Sequence, residues 1–173
     1  MDNPKHVVLT GFVNSGKSLW GRQLEAKFGV PYVNLGHEFR QSQGSARKAD
    51  ADFIIDQSKW IETQQLRLEN AVPSVINVPG NSVLFDKTME ALKPSCYIIF
   101  LSADYDVLNE RLPFKEKGPN AILFGASTYE KMFEQRQPLY AKHANATIIE
   151  TDNPKEDFNR ICEIVIREHL LGK

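Results

Sequence analysis

Gly11 to Ser18 read GFVNSGKS, an unbroken match to the pattern G-x-x-x-x-G-K-[ST]. The apolar run HVVLT (His6 to Thr10) precedes it and has strand character. LWGRQLEAKFG (Leu19 to Gly29) follows with helical spacing. Strand, glycine-rich loop and helix is the context in which backbone N–H groups turn inward around a polyphosphate, with the helix N-terminus adding partial positive charge. The residues of such a cradle are Gly11, Asn14, Ser15, Gly16, Lys17, Ser18 and Leu19. Lys17 reaches the β- and γ-phosphates of a nucleotide, and the Ser18 hydroxyl is placed to ligate Mg²⁺.

Working outward, strand-like runs recur between longer helical ones: Val7 to Thr10, Pro31 to Asn34, Ser74 to Val78, Cys96 to Ser102 and Ala146 to Glu150. Helical patterns lie near Lys17 to Phe28, His37 to Gln43, Phe53 to Asn70, Leu84 to Leu92, Ala103 to Arg111, Thr128 to His143 and Pro154 to Leu170. This alternation predicts an α/β domain with a parallel sheet. The last helix opens with TDNPKED, in which Asp152 or Asn153 can cap, Pro154 suits the first helical position, and acids fill the first turn. Pro113 to Ser127 (PFKEKGPNAILFGAS) reads as no regular element, and its length points to a functional loop, here a lid over the nucleotide.

The chain of 173 residues is expected to form one domain. With 21 Lys and Arg against 22 Asp and Glu, the net charge is −1. No basic stripe is present, so no nucleic-acid partner is expected. No apolar stretch is long enough to span a bilayer, and MDNPKH lacks the apolar centre of a signal peptide, so no membrane partner is expected either. Cys96 and Cys162 lack metal-ligand spacing and read as buried thiols, in keeping with a cytoplasmic location. The assembly expected is a monomer or weak homo-oligomer.

Three stretches resemble the shikimate kinase family, within the nucleoside-monophosphate-kinase-like group of P-loop proteins. They are VVLTGFVNSGKSLWGRQLEAKFGVPYVN, FLSADYDVLNERL (Phe100 to Leu112) and YEKMFEQRQPLYAKHANATI (Tyr129 to Ile148). The third, with R-x-P-L-Y followed by A-x-x-x-I, is the specific one. The resemblance implies a three-layer P-loop kinase fold: a five-stranded parallel sheet flanked by helices, with a lid. It implies ATP and Mg²⁺ as cofactors and phosphoryl transfer to a hydroxyl of a small anionic metabolite. Arg136 matches the arginine that grips the acceptor carboxylate, which a planar guanidinium does bidentately. Arg111 matches an arginine beside the nucleotide base and lid hinge, and reads equally well as a solvated charge near a helix C-terminus.

The departures from the family pattern cluster. Its D-x-D after the second strand is Asn34 and Gly36 here, and a glycine can neither orient a hydroxyl nor accept its proton. Its F-R-x-x-E is matched only by Lys59 and Glu62. Its three-glycine turn is VPGNS, keeping Gly80 and placing Pro79, Asn81 and Ser82 around it. In the lid, Asn120 stands where an arginine is expected, with Lys115 and Lys117 nearby. Gly80, Asn81, Lys59 and Arg136 are therefore the expected acceptor contacts. Glu38 is the candidate to replace the lost aspartate, or else complements its helix N-terminus; His37, Arg40 and Arg47 lie close by. The reading that follows is a kinase of shikimate kinase type with Lys17, Arg136 and Glu38 as its catalytic set and an acceptor other than shikimate. The alternatives are shikimate kinase proper with an altered pocket, or a nucleotide-binding protein without kinase activity.

Overall fold

The computed structural model describes residues 5–44, 50–111 and 128–172. The lid expected at 113–127, with Lys115, Lys117 and Asn120, lies outside the described residues, as does Arg47. Five strands, β1 (His6–Thr10), β2 (Tyr32–Asn34), β3 (Val75–Asn77), β4 (Cys96–Ser102) and β5 (Ala146–Ile149), form one parallel sheet in the order β2-β3-β1-β4-β5. The helices are α1 (Lys17–Phe28), α2 (Leu35–Ser42), α3 (Ala51–Thr63), α4 (Gln65–Asn70), α5 (Asp86–Leu92), α6 (Tyr105–Glu110), α7 (Tyr129–His143) and α8 (Pro154–Arg167).

The central strands are apolar on both faces because both faces are covered. Along β1 and β4 the residues alternate between two cores. Val7, Leu9, Ile99 and Leu101 pack with Leu24 and Phe28 of α1 and Ile161 and Val165 of α8. Val8, Ile98 and Phe100 pack on the other side with Ile61 of α3, Met89 of α5 and Met132 and Tyr140 of α7. Each fully buried aliphatic side chain contributes roughly 1.5–3 kcal/mol relative to exposure. Cys96 and Cys162 are buried free thiols, and burial pushes the Cys96 thiol up to about 12.

The expected helix over Phe53 to Asn70 is two helices, α3 and α4, meeting at Gln64, whose N–H bonds Ile61 O at 3.0 Å in a tightened last turn. The expected helix at Leu84 begins instead as a 3₁₀ turn, Ser82–Leu84, before α5. α2 starts two residues earlier than expected, because the Asn34 side chain accepts from His37 N at 3.0 Å and caps it. At α8 the cap is Asn153, accepting from Glu156 N at 3.3 Å. The C-terminal edge of the sheet thus collects the β1–α1 loop, Asn34 and Asn77, which are in register on β2 and β3, and the turn after β3. In open α/β sheets this edge is where ligands bind.

His6 opens β1 in a fully buried position. Its Nε2–H donates to Leu68 O at 2.8 Å, and its Nδ1 accepts from Ser74 N at 3.1 Å. Only the neutral ring satisfies both bonds, and burial is the main cause holding its pKa below the ordinary 6.5. A histidine pKa depressed by folding adds stability above its unfolded value and loses it as pH falls toward the folded one. Urea midpoints are therefore expected to drop between about pH 7.5 and about pH 5.5. His6→Val should cost about 1–3 kcal/mol at neutral pH through two unpaired backbone groups, yet show a flatter pH dependence over this interval. An unchanged pH slope in the variant would contradict the assignment.

Candidate active site

The loop between β1 and α1 is built by backbone conformation before any ligand arrives. Gly16, the residue before α1, has φ 88°, and a Cβ there would lie 2.9 Å from Trp20 Nε1. Asn14 takes a left-handed φ of 62°. Its Nδ2 donates to Arg111 O at 3.3 Å, and Arg111 Nη1 returns a bond to Asn14 O at 3.3 Å. Arg111 is also held bidentately by Glu150, through Nη1 at 3.0 Å and Nη2, and this carboxylate raises its pKa. α1 has no acid in its first turn, so its free N–H groups and partial positive charge are uncompensated. Ser15 Oγ is buried without a partner among the described residues.

Two cavities meet at Lys17. The smaller, about 310 Å³, is lined by Asn14, Gly16, Lys17, Ser18, Leu19 and Arg111. The larger, about 470 Å³, opens on the other side, between α2, α3, α7 and the turn after β3. Lys17 is the residue common to both linings. Its ammonium donates to Gly11 O at 2.8 Å and Phe12 O at 2.7 Å. Desolvation, with Arg136 as a lesser cause, lowers its pKa to about 8. An ammonium held by two carbonyls, with no anion among its described contacts, is set up to receive one.

Arg136 projects from α7 into the larger cavity and is 5% exposed. Its Nε and Nη2 are buried with no hydrogen-bond partner among the described residues. Burial lowers its pKa against the favourable influence of Tyr140. Such a group is costly unless a ligand pairs with it. One turn along α7, the Tyr140 hydroxyl donates to Gly80 O at 2.7 Å, and its ring stacks on Phe100 with centroids 5.2 Å apart. Gly80 is in close contact on two sides: an added Cβ would lie 3.1 Å from Gly11 O and 3.2 Å from the Tyr140 hydroxyl. The turn after β3 is thereby pressed against the phosphate loop. Asn81 is buried in the same wall.

Two expected residues stand elsewhere. Glu38 is not in the lining of the larger cavity; it pairs with Arg67 of α4 at 2.9 Å. Gly36, His37 and Arg40 of α2 do line it, and residue 38 lies half a helical turn from residue 36. Lys59 is exposed and faces away, because Phe53, Ile54 and Gln57 hold the inner face of α3; Gln57 lines the cavity where Lys59 was expected. Glu62 accepts from the Thr88 hydroxyl at 2.9 Å.

Sequence reasoning missed two features. Asn77, at the end of β3, donates through Nδ2 to Ser18 Oγ at 3.3 Å and Tyr32 Oη at 3.0 Å, while its buried Oδ1 has no partner among the described residues. Its signal was position: a polar residue ending an otherwise apolar strand. The second is the contact between Pro79 and Gly36. A Cβ on Gly36 would lie 3.0 Å from Pro79 Cγ, so a side chain at 36 would press on the ring, which would have to yield by a few tenths of an ångström. Among the described residues, no carboxylate lines the larger cavity.

The shikimate kinase family model matches residues 13–166. A shikimate kinase of Bradyrhizobium diazoefficiens is 26% identical over 178 aligned positions, covering 98% of this chain and 83% of that protein. One from Rhizobium leguminosarum bv. trifolii is 28% identical over 155, covering 88% and 79%. Among solved structures, shikimate kinase from Acinetobacter baumannii in complex with shikimate superposes with a TM-score of 0.70 at 18% identity, covering 95% of this chain and 94% of that one. The three-layer fold around a phosphate loop, the second cavity beside it and a family match over most of the chain lead to one conclusion: the chain belongs to the shikimate kinase family, as a small-molecule kinase.

Proposed function

We propose that this kinase transfers the γ-phosphate of ATP to a hydroxyl of a small anionic metabolite other than shikimate. The observation that carries the reading is the meeting of two cavities at Lys17, one on the phosphate loop and one around Arg136, whose buried Nε and Nη2 have no partner among the described residues. The loop N–H groups and the α1 N-terminus bind the polyphosphate. Lys17 exchanges its two carbonyl partners for phosphate oxygens and so places positive charge at the boundary between donor and acceptor. Arg136 fixes an acid group of the acceptor, and Asn81 with the turn at Gly80 shapes the wall beside it.

The residues present suit Mg²⁺. The Ser18 hydroxyl opens on the nucleotide cavity, and Asn77 Oδ1 supplies an unsatisfied neutral acceptor beside it, suited to the water shell that this ion retains. When bound, Mg²⁺ supplies charge neutralisation along the polyphosphate. Phosphoryl transfer relies on positioning and charge compensation more than on a base, so a cavity without a carboxylate is compatible with it. Gly36 and Pro79 together support an acceptor other than shikimate, since they remove the side chain with which this family orients the accepting hydroxyl.

A screen of hydroxy-acid and sugar-acid metabolites for ATP consumption tests the reading. Turnover is expected on at least one, and Lys17→Ala should lower it by about 10²–10³-fold or more. Tight ATP binding with no acceptor found would instead favour a nucleotide-binding protein without kinase activity. A second test addresses the wall. Gly36→Asp alone should destabilise by about 1–3 kcal/mol through the clash with Pro79. Pro79→Gly in the same chain should recover much of that loss and raise activity toward shikimate above either single variant. Additive effects, or wild-type turnover of shikimate equal to that of other acids, would count against the proposal.

A further inference from the structure

Seven arginines fall within the described residues, and five of them are paired with carboxylates: Arg22 with Glu25, Arg67 with Glu38, Arg111 with Glu150, Arg160 with Asp157 and Arg167 with Glu168. The two exceptions, Arg40 and Arg136, line the same cavity. The chain has as many acids as bases to within one residue, so a shortage of partners does not explain the pattern. Arg136 is buried with two nitrogens unsatisfied. Arg40, on α2, is held in place without being neutralised: its guanidinium lies over the Phe53 ring, 5.2 Å from the centroid. Phe53 is itself buried and packs on Phe39, with centroids 5.1 Å apart. A guanidinium on an aromatic face keeps its N–H edges free for a ligand. The other polar side chains of the lining are the amides of Asn34, Gln57, Asn77 and Asn81, with His37 and Tyr129, and no carboxylate is among its described residues.

Resting on the kinase reading above, we infer that the acceptor carries two separate acidic groups, one met by Arg136 and the other by Arg40. Lys17 belongs to the transferring phosphate, which leaves two positive charges for the acceptor to balance. The second acidic group is a carboxylate or a phosphate monoester, since both accept bidentate bonds from a guanidinium. A cavity of about 470 Å³ has room for a small sugar acid bearing it.

Matched probes test this by calorimetry on the full chain with Mg²⁺ and a non-hydrolysable ATP analogue: gluconate against 6-phosphogluconate, and glycerate against 3-phosphoglycerate. The doubly acidic member of at least one pair is expected to bind at least about tenfold tighter. Arg40→Gln should abolish that preference without changing the affinity for the ATP analogue, and the surface variant Arg22→Gln should keep it. The inference is overturned if the members of both pairs bind alike, if neither member of either pair binds, or if Arg40→Gln retains the preference. Selective binding without phosphoryl transfer to any acceptor would sink the kinase reading while leaving this one standing.

Discussion

The turn after β3 packs against the phosphate loop where Gly80 lies beside the carbonyl of Gly11, and the Tyr140 hydroxyl holds Gly80 there from α7. The two cavities that meet at Lys17 are therefore walled by one packed unit. Tyr140 is fully buried, and its ring lies on Phe100 of β4, so the contact is anchored in the sheet core. Burial pushes the Tyr140 hydroxyl up to about 12, which keeps it a donor across the neutral range. Arg136 sits one turn before Tyr140 on the same helix, and its place in the acceptor cavity follows from the same anchor. Lys17, on the other side of the contact, waits on the carbonyls of Gly11 and Phe12.

This arrangement divides the labour of phosphoryl transfer between backbone and side chains. The donor side is backbone: a left-handed Asn14, a left-handed Gly16 and the free N-terminus of α1. The acceptor side is made of side chains on several helices and the turn after β3, and its chemistry can change without touching the donor side. No carboxylate is among the described residues of its lining, and Pro79 packs close to Gly36. It retains positive charge in Arg136 and Arg40. Stored desolvation of this kind weakens the unliganded protein and favours a complementary anion.

Much of this was legible in the sequence, for identifiable reasons. GFVNSGKS has fixed spacing and fixed flanks, so a local reading sufficed. The strands were legible because a parallel sheet covered on both faces needs unbroken apolar runs. Arg136 was legible because Pro138, Leu139 and Tyr140 accompany it. Glu38 was placed in the acceptor site by nearness along the chain and Lys59 by its likeness to the family's F-R-x-x-E, and helical phase turns both away, in favour of His37, Arg40 and Gln57. The break at Gln64 was hidden because helical periodicity continues across it. Asn77 and the Pro79–Gly36 contact were not legible, because they join residues from different crossovers of the sheet and exist only once the strands are in register.

Lys17 stands where the two cavities meet, and we propose that it moves from protein carbonyls to phosphate when nucleotide binds. A crystal structure with Mg²⁺ and a non-hydrolysable ATP analogue tests it most directly. The polyphosphate is expected to be wrapped by Gly11 to Ser18, with the Lys17 ammonium released from Gly11 and Phe12 and bonded to the terminal phosphate, which faces the cavity of Arg136. A nucleotide seated elsewhere, or a Lys17 still bound to its two carbonyls beside a bound triphosphate, would contradict it.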